Sequence, residues 1–308
     1  MIQNLNEELF SFIKKSPTGF HAVHELANYL TEAGFECLSE GNTWNLVEGG
    51  KYFVTRNQSA IIAFKVSRKD YSGFHIAASH SDSPTLKIKE SSEMNVENQY
   101  VKLNVEKYGG MLCAPWFDRP LSVAGRIIVK DGNRLTTKLI NVDRDLLMIP
   151  NLAIHMNREV NKGVELNKQI DMIPVFGMET SFLSYLAKEL SVKEEDILDF
   201  ELYIYCAEKP LFVGGAEEFI SSPRLDNLTS VAALSRAICK AGKRNGLNVI
   251  ALFDHEEIGS RTKQGAGSFM LNELLDKILL GMGMDPVAVK EAKYNSMMLS
   301  VDVAHALH

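Results

Sequence analysis

His80, Asp82, Asp226, Asp254, Glu256, Glu257 and Asp302 fall where apolar runs end or helical patterns begin. A histidine, separated aspartates and a glutamate pair are donors suited to paired zinc ions. Imidazole nitrogen and carboxylate oxygen bind metal, and one carboxylate stays free to move protons. Each residue also has a plainer reading. His80, after Ala77-Ala78-Ser79, fits a hydrogen-bonded core histidine. Asp82 two residues on favours a ligand, because a carboxylate beside a ligating histidine fixes its tautomer. Asp226 precedes a helical pattern, and taken alone an N-cap is its preferred role.

Asp254-His255-Glu256-Glu257 is harder to explain blandly. Four polar, mostly acidic residues directly after an apolar run repel one another unless cations or catalysis engage them. Adjacent glutamates project differently, so one can bind metal while its neighbour faces the substrate water as general base. Asp302 sits in an otherwise apolar stretch, where an unpaired buried carboxylate would be costly and a metal would remove that cost.

These residues need a scaffold that ends several strands at one edge, and an open α/β sheet gathers ligands there. The pattern Val23, Leu26, Ala27, Leu30 predicts a helix over 21–34, stopped by Gly34. Ile61–Val66 and Phe74–Ala78 read as neighbouring strands joined by a polar turn, Ser67 to Gly73. From about residue 96 to 212 short strand-like runs dominate, including Gly125–Val129 and Leu135–Ile140 about Asp131-Gly132-Asn133. One helix there carries Leu183, Leu186, Ala187 and Leu190 in phase. An α/β rhythm then returns: a helix after Asp226, a strand at Val249–Phe253, a helix with Leu271, Leu274, Leu275 and Ile278, and a strand at Met298–Val301. The expected organisation is an α/β catalytic domain over 1–95 and 213–308, with a β-rich domain inserted over 96–212.

The chain has 308 residues, 45% hydrophobic and 23% charged, with formal net charge −6. That composition suits a folded globular protein, and without a basic run it gives no support to nucleic-acid or anionic-membrane binding. No stretch approaches the roughly 20 apolar residues of a membrane span, and no signal-peptide pattern opens the chain, so a cytoplasmic location is expected. Cys37, Cys113, Cys206 and Cys239 form no short pair and read as reduced, mostly buried small residues.

Seven stretches carry a resemblance: Gly19-Phe20-His21-Ala22, Ser79-His80-Ser81-Asp82-Ser83-Pro84, Trp116-Phe117-Asp118-Arg119, Asn151-Leu152-Ala153-Ile154-His155, Pro223-Arg224-Leu225-Asp226-Asn227, Glu256-Glu257-Ile258-Gly259-Ser260 and Gln264-Gly265-Ala266. In this order they resemble the cocatalytic zinc aminopeptidases called aspartyl aminopeptidases, related to yeast vacuolar aminopeptidase I.

The resemblance implies a zinc-exopeptidase-like mixed sheet flanked by helices, with the β-rich insertion serving oligomerisation. It implies two zinc ions per subunit: His80, Asp226 and Asp302 on one, and Asp226 bridging to a second also held by Glu257. Manganese or cobalt would suit the same carboxylates. Glu256 would be the general base, Asp82 would orient His80, and a zinc-activated water would attack the first peptide bond. His155 would reach the active site of a neighbouring subunit, against a structural role for the same histidine. The assembly implied is a dodecamer, and the substrates are short peptides, preferably with Asp or Glu first. Neutral N-terminal residues, a related two-zinc deacylase, or a metal-poor, inactive assembly protein are the alternatives.

Two departures stand out. His255 occupies a position that is usually Asn in the family. The resemblance also implies a segment past His308 that supplies the second zinc's last histidine and part of the substrate pocket, so this chain is expected to be truncated and fully active only when longer. His305 and His308 are weak substitutes for that ligand, since the chain would have to turn back sharply.

Overall fold

The computed structural model describes residues 2–66, 73–242 and 246–307. The turn expected from Ser67 lies outside them, save Gly73. The chain divides into two compact units, one from residues 1–83 and 224–308 and one from Pro84–Pro223.

The first unit opens with helices α1 (Ile2–Lys15) and α2 (Gly19–Glu32), then strands β1 (Glu36–Cys37), β2 (Lys51–Arg56), β3 (Ala60–Lys65) and β4 (Phe74–His80). The second unit holds β5 (Thr85–Val96), β6 (Tyr100–Tyr108), β7 (Leu121–Asp131), β8 (Arg134–Asn141), β9 (Val175–Gly177), α3 (Phe182–Leu190), β10 (Ile197–Cys206), β11 (Leu211–Val213) and β12 (Phe219–Ser221). The chain then returns to the first unit with α4 (Leu225–Lys240), β13 (Leu247–Phe253), α5 (Met270–Gly281), α6 (Pro286–Tyr294) and β14 (Met297–Ser300).

The first unit's sheet has the order β1-β2-β3-β13-β4-β14. β3 and β4 are therefore not neighbours, contrary to the sequence expectation: β13 lies between them, antiparallel to β3 and parallel to β4. The reason is burial. β13 reads Leu-Asn-Val-Ile-Ala-Leu-Phe, with apolar residues on both faces, and such a strand belongs in the centre of a sheet covered on both sides.

Alternate residues bear this out. Val249, Ala251 and Phe253 join Ile62, Phe64, Ile76 and the inner faces of α5 and α6, including Leu274, Ile278 and Val289. Ile250 and Leu252 join Ile61, Ala63 and the apolar stripes of α2 (Val23, Leu26, Leu30) and α4 (Val231, Leu234, Ile238). Helices thus cover both faces, the α/β architecture expected, and β4, β13 and β14 run parallel side by side.

The second unit is a six-stranded antiparallel sheet, β8-β7-β10-β5-β6-β9, plus the β11–β12 ribbon. Its core collects Leu86, Leu103, Val123, Ile127, Leu202 and Ile204 with Phe182 and Leu186 of α3. The unit boundary falls at Pro84 and at Pro223/Arg224 instead of near 95 and 213. β5 pairs with β6 and β10, so it belongs to the antiparallel sheet although it follows the β4 loop directly.

No helix among the described residues is long and apolar enough to cross a membrane. All four cysteines are free thiols. Cys37 is exposed and the other three are half-buried, so they are less buried than their residue type suggests.

Candidate active site

The parallel trio places its carboxyl ends together. His80, the last residue of β4, pairs in register with Phe253 at the end of β13, and Ala78 pairs with Ser300 at the end of β14. The chain segments leaving these three strands carry Asp82, Asp254–Glu257 and Asp302. Asp226 arrives at the start of α4. The helix begins at Leu225, yet Asp226 (φ −83°, ψ 112°) and Asn227 (φ −121°, ψ 28°) are not helical, and the peptide between them is cis. The Asp226 carboxylate is turned towards His80, with Oδ1 3.3 Å from Nε2, which places it for a role beyond the N-cap that the sequence alone favours.

The loop is tied down through its backbone and its neighbour. Ser83 Oγ donates to the Asp226 carbonyl at 2.8 Å. Fully buried Asn227 donates from Nδ2 to Ser79 Oγ (2.9 Å) and to the Val301 carbonyl (3.1 Å), bridging the exits of β4 and β14. Sequence reasoning misses Asn227. Its only signal is that a second polar residue stands beside Asp226.

Around His80 the donors converge. His80 Nε2 stands 3.3 Å from Asp226 Oδ1, 3.7 Å from Asp302 Oδ1 and 3.9 Å from Glu256 Oε2. One donor atom from each of His80, Asp226 and Asp302 lies within 4.8 Å of the others. On the far side of the ring, Nδ1 lies 3.2 Å from Asp82 Oδ1. A proton on Nδ1 donated to that carboxylate leaves the Nε2 lone pair aimed at the aspartates.

Asp82 contacts more than the ring. Its Oδ1 accepts from the Glu256 N–H and its Oδ2 from the Glu257 N–H, each at 3.2 Å, so the same buried carboxylate positions the glutamate turn. That turn is a single 3-10 turn over Glu256–Ile258, entered through His255 in the left-handed region (φ 62°).

Asp302 corrects an expectation: its side chain is 55% exposed, not buried. It follows β14, which ends the sheet among the described residues and whose four residues are all exposed. Asp226 and Glu256 are likewise about half exposed, whereas His80 and Asp82 form the buried floor. His305 is exposed and outside the His80–Asp226–Asp302 group, and His308 lies outside the described residues. His155 is exposed in the second unit, on the segment between β8 and β9.

The electrostatics match a cation site. Burial acts to lower the His80 pKa, but the hydrogen bond and charge of Asp82 and the charges of Glu256 and Asp226 overcome it and raise the value to about 9. Glu257 is pushed up to about 7 by burial, then by the Asp82 charge. Asp226 is raised by burial and by Asp302 against the opposing pull of His80. In the metal-free protein the protonated imidazole is what offsets the crowded carboxylates.

Both numbered groups have folded-state values above their unfolded ones, so each favours the fold when protonated. That contribution is complete below the unfolded values of roughly 4.3 for Glu and 6.5 for His. It fades as pH rises through about 7 for Glu257 and about 9 for His80. The chelator-treated protein is expected to lose melting temperature from pH 5 to pH 9. Added zinc should reverse the loss, and more effectively at the upper end, because metal displaces those same protons. A melting temperature that climbs over this range without metal would contradict the assignment.

Residues 12–308 match the family described as Aminopeptidase I zinc metalloprotease (M18). The chain belongs to the M18 family.

Among M18 relatives, a probable M18 family aminopeptidase 2 of Clostridium acetobutylicum is 46% identical over 313 residues, covering 98% of this chain and 72% of the relative. Aspartyl aminopeptidase 4 of Saccharomyces cerevisiae is 38% identical, with 98% of this chain and 71% of the relative covered. A solved chain in the cryo-EM structure of the Ape4 and Nbr1 complex superposes with TM-score 0.95 at 37% identity, covering 99% of this chain. The present chain spans 64% of that solved chain's length. The S. cerevisiae mApe1 dodecamer gives TM-score 0.83 at 25% identity, with 98% of this chain and 72% of that one covered.

Proposed function

We propose that this M18 chain carries the catalytic groups of an aminopeptidase that removes N-terminal residues, preferably Asp or Glu, from short peptides, using two zinc ions per subunit. The observation that carries the reading is the convergence of His80, Asp226 and Asp302 donor atoms within 4.8 Å at the ends of adjacent parallel strands. One imidazole with its outer nitrogen already held by a carboxylate, facing two carboxylates, is a donor set suited to zinc. His80, Asp226 and Asp302 would hold one ion, and Asp226 with Glu257 the other. Bound zinc supplies Lewis acidity for the peptide carbonyl and lowers the pKa of water.

The remaining steps fall to the protein. Asp82 keeps the His80 tautomer fixed and holds the Glu256 and Glu257 N–H groups. Glu256, half exposed and 3.9 Å from His80 Nε2, faces the open side of the site, where a general base takes the proton of the attacking water and delivers it to the leaving amine. The acidic preference is supported by the naming of the S. cerevisiae relative as an aspartyl aminopeptidase. The native metal in either site could be manganese or cobalt without altering these roles.

The test is elemental analysis alongside hydrolysis of peptides beginning with Asp, Glu or Leu. Two metals per chain and faster release of the acidic residues support the reading; a protein that binds no zinc in any preparation would remove it.

We further assign the second unit to assembly, as a homo-oligomer in keeping with the mApe1 dodecamer, and His155 to the active site of a neighbouring subunit. Its exposure and the exposed apolar residues beside it, Leu152 (56%), Ile154 (48%) and Met156 (75%), suit a segment that another chain covers. His155→Phe is expected to reduce turnover by roughly tenfold or more while metal content and oligomer size hold, an effect in keeping with the loss of one positioned polar group. An unchanged rate would return His155 to a structural role.

A further inference from the structure

Three of the motifs in this chain, Gly19-Phe20-His21-Ala22, His255 in place of Asn, and Gln264-Gly265-Ala266, have no role in the reaction outlined above. The structure brings parts of all three together behind the glutamate turn. Asp254, 4% exposed, caps the end of β13: its Oδ1 accepts from the His255 N–H at 2.8 Å, and its Oδ2 stands 3.4 Å from His255 Nε2. The other ring nitrogen of His255, Nδ1, is 2.8 Å from Thr262 Oγ1. With Nε2–H facing the carboxylate, Nδ1 accepts from the threonine hydroxyl. The His255 carbonyl in turn accepts from the Ser260 N–H at 2.8 Å.

Thr262 is held by a loop with no slack. The Gly267 N–H reaches the Ser260 carbonyl at 3.0 Å, and the Gly265 N–H reaches the Thr262 carbonyl at 3.0 Å. The Asp254 N–H donates to the Gln264 carbonyl at 3.2 Å. A Cβ at Gly265 would lie 2.3 Å from the Ser260 carbonyl oxygen, which is backbone and cannot swing aside. On the opposite side Gly19, the first residue of α2, packs so that a Cβ there would sit 3.4 Å from Asp254 Oδ1.

We propose that Thr262 is a positioning residue for the general base: through the His255 ring, the loop over residues 260–267 fixes the direction in which the Glu256–Glu257 turn leaves β13. The turn is gripped from two sides. Asp82 holds its N–H groups from the β4 side, and Thr262 holds its entry residue from the other. A left-handed residue at the entry sets where the next side chains point, so the bond to its ring decides how steadily Glu256 faces His80. This inference rests on Glu256 as the base.

Thr262→Val keeps the shape and removes the hydroxyl, and Thr262→Ser restores it. In zinc-loaded protein, Thr262→Val is expected to lower kcat on the order of tenfold with KM, metal content and melting temperature held, and Thr262→Ser to return most of the rate. Independently of activity, amide hydrogen exchange over residues 254–260 should quicken in Thr262→Val and not in Thr262→Ser.

Equal exchange and equal kcat in all three proteins would overturn the proposal. So would a Thr262→Val protein whose rate falls only in step with lost metal or lost stability, since the residue would then be merely structural. A Glu256→Gln protein that keeps the unsubstituted rate while the exchange difference persists would instead remove Glu256 as a base and leave the brace standing as a conformational fact.

Discussion

Glu256→Gln is expected to fold, to bind its full metal complement and to turn over peptide roughly 10²–10⁴-fold more slowly, the span typical of a lost general base. Glutamine keeps the shape and one carbonyl oxygen but cannot accept the water's proton at neutral pH. Neither anchor of the turn depends on this side chain, because Asp82 accepts from the backbone N–H of residue 256 and the Ser260 N–H bonds the His255 carbonyl. The donor atoms that converge most closely belong to His80, Asp226 and Asp302, so the metal site should survive the change. Steady-state kinetics beside elemental analysis separates the outcomes. A variant that keeps its rate sinks Glu256 as base, and one that loses zinc makes Glu256 a ligand.

Asp226→Ala should have the other large effect, erasing turnover by taking both metals out. Asp226 is the carboxylate nearest His80 Nε2, at 3.3 Å, and it is the residue proposed to touch both ions. Its removal leaves His80 and Asp302 to one ion and Glu257 to the other, too few donors for tight binding. The fold around it should hold, since the Ser83 contact goes to the Asp226 backbone carbonyl and the bridge from β4 to β14 belongs to Asn227. The variant should also bring the His80 pKa down from about 9, because Asp226 is among the charges that raise it. Metal titration decides the point: if one zinc stays at full occupancy, the bridging assignment is wrong.

Residues that end strands are legible in the sequence because a short apolar run followed at once by His or Asp is a local pattern. β4, β13 and α4 emerge close to their observed limits for that reason. What depends on distant pairing is not legible. β13 enters between β3 and β4 although more than 160 residues of chain separate it from either, and nothing in Ile61–Val66 or Phe74–Ala78 announces a gap.

β5 gives little sign of itself because Thr-Leu-Lys-Ile-Lys-Glu-Ser-Ser-Glu-Met-Asn-Val buries few of its residues and carries charge along its length. Asp302 misleads because apolar neighbours imply burial only when something lies over them, and among the described residues nothing pairs with the outer side of β14. His80 with Asp82 can be read as a pair, whereas Thr262 cannot. A threonine eight residues past Asp254 carries no signature until the loop has folded.

Asp82 has a consequence for how the site holds together. Its carboxylate is the common partner of the His80 ring and of the Glu256 and Glu257 N–H groups. The ring at the end of β4 and the turn after β13 therefore cannot adjust separately: a shift of either one is passed to the other through a single buried side chain, and the two walls of the site move as one piece.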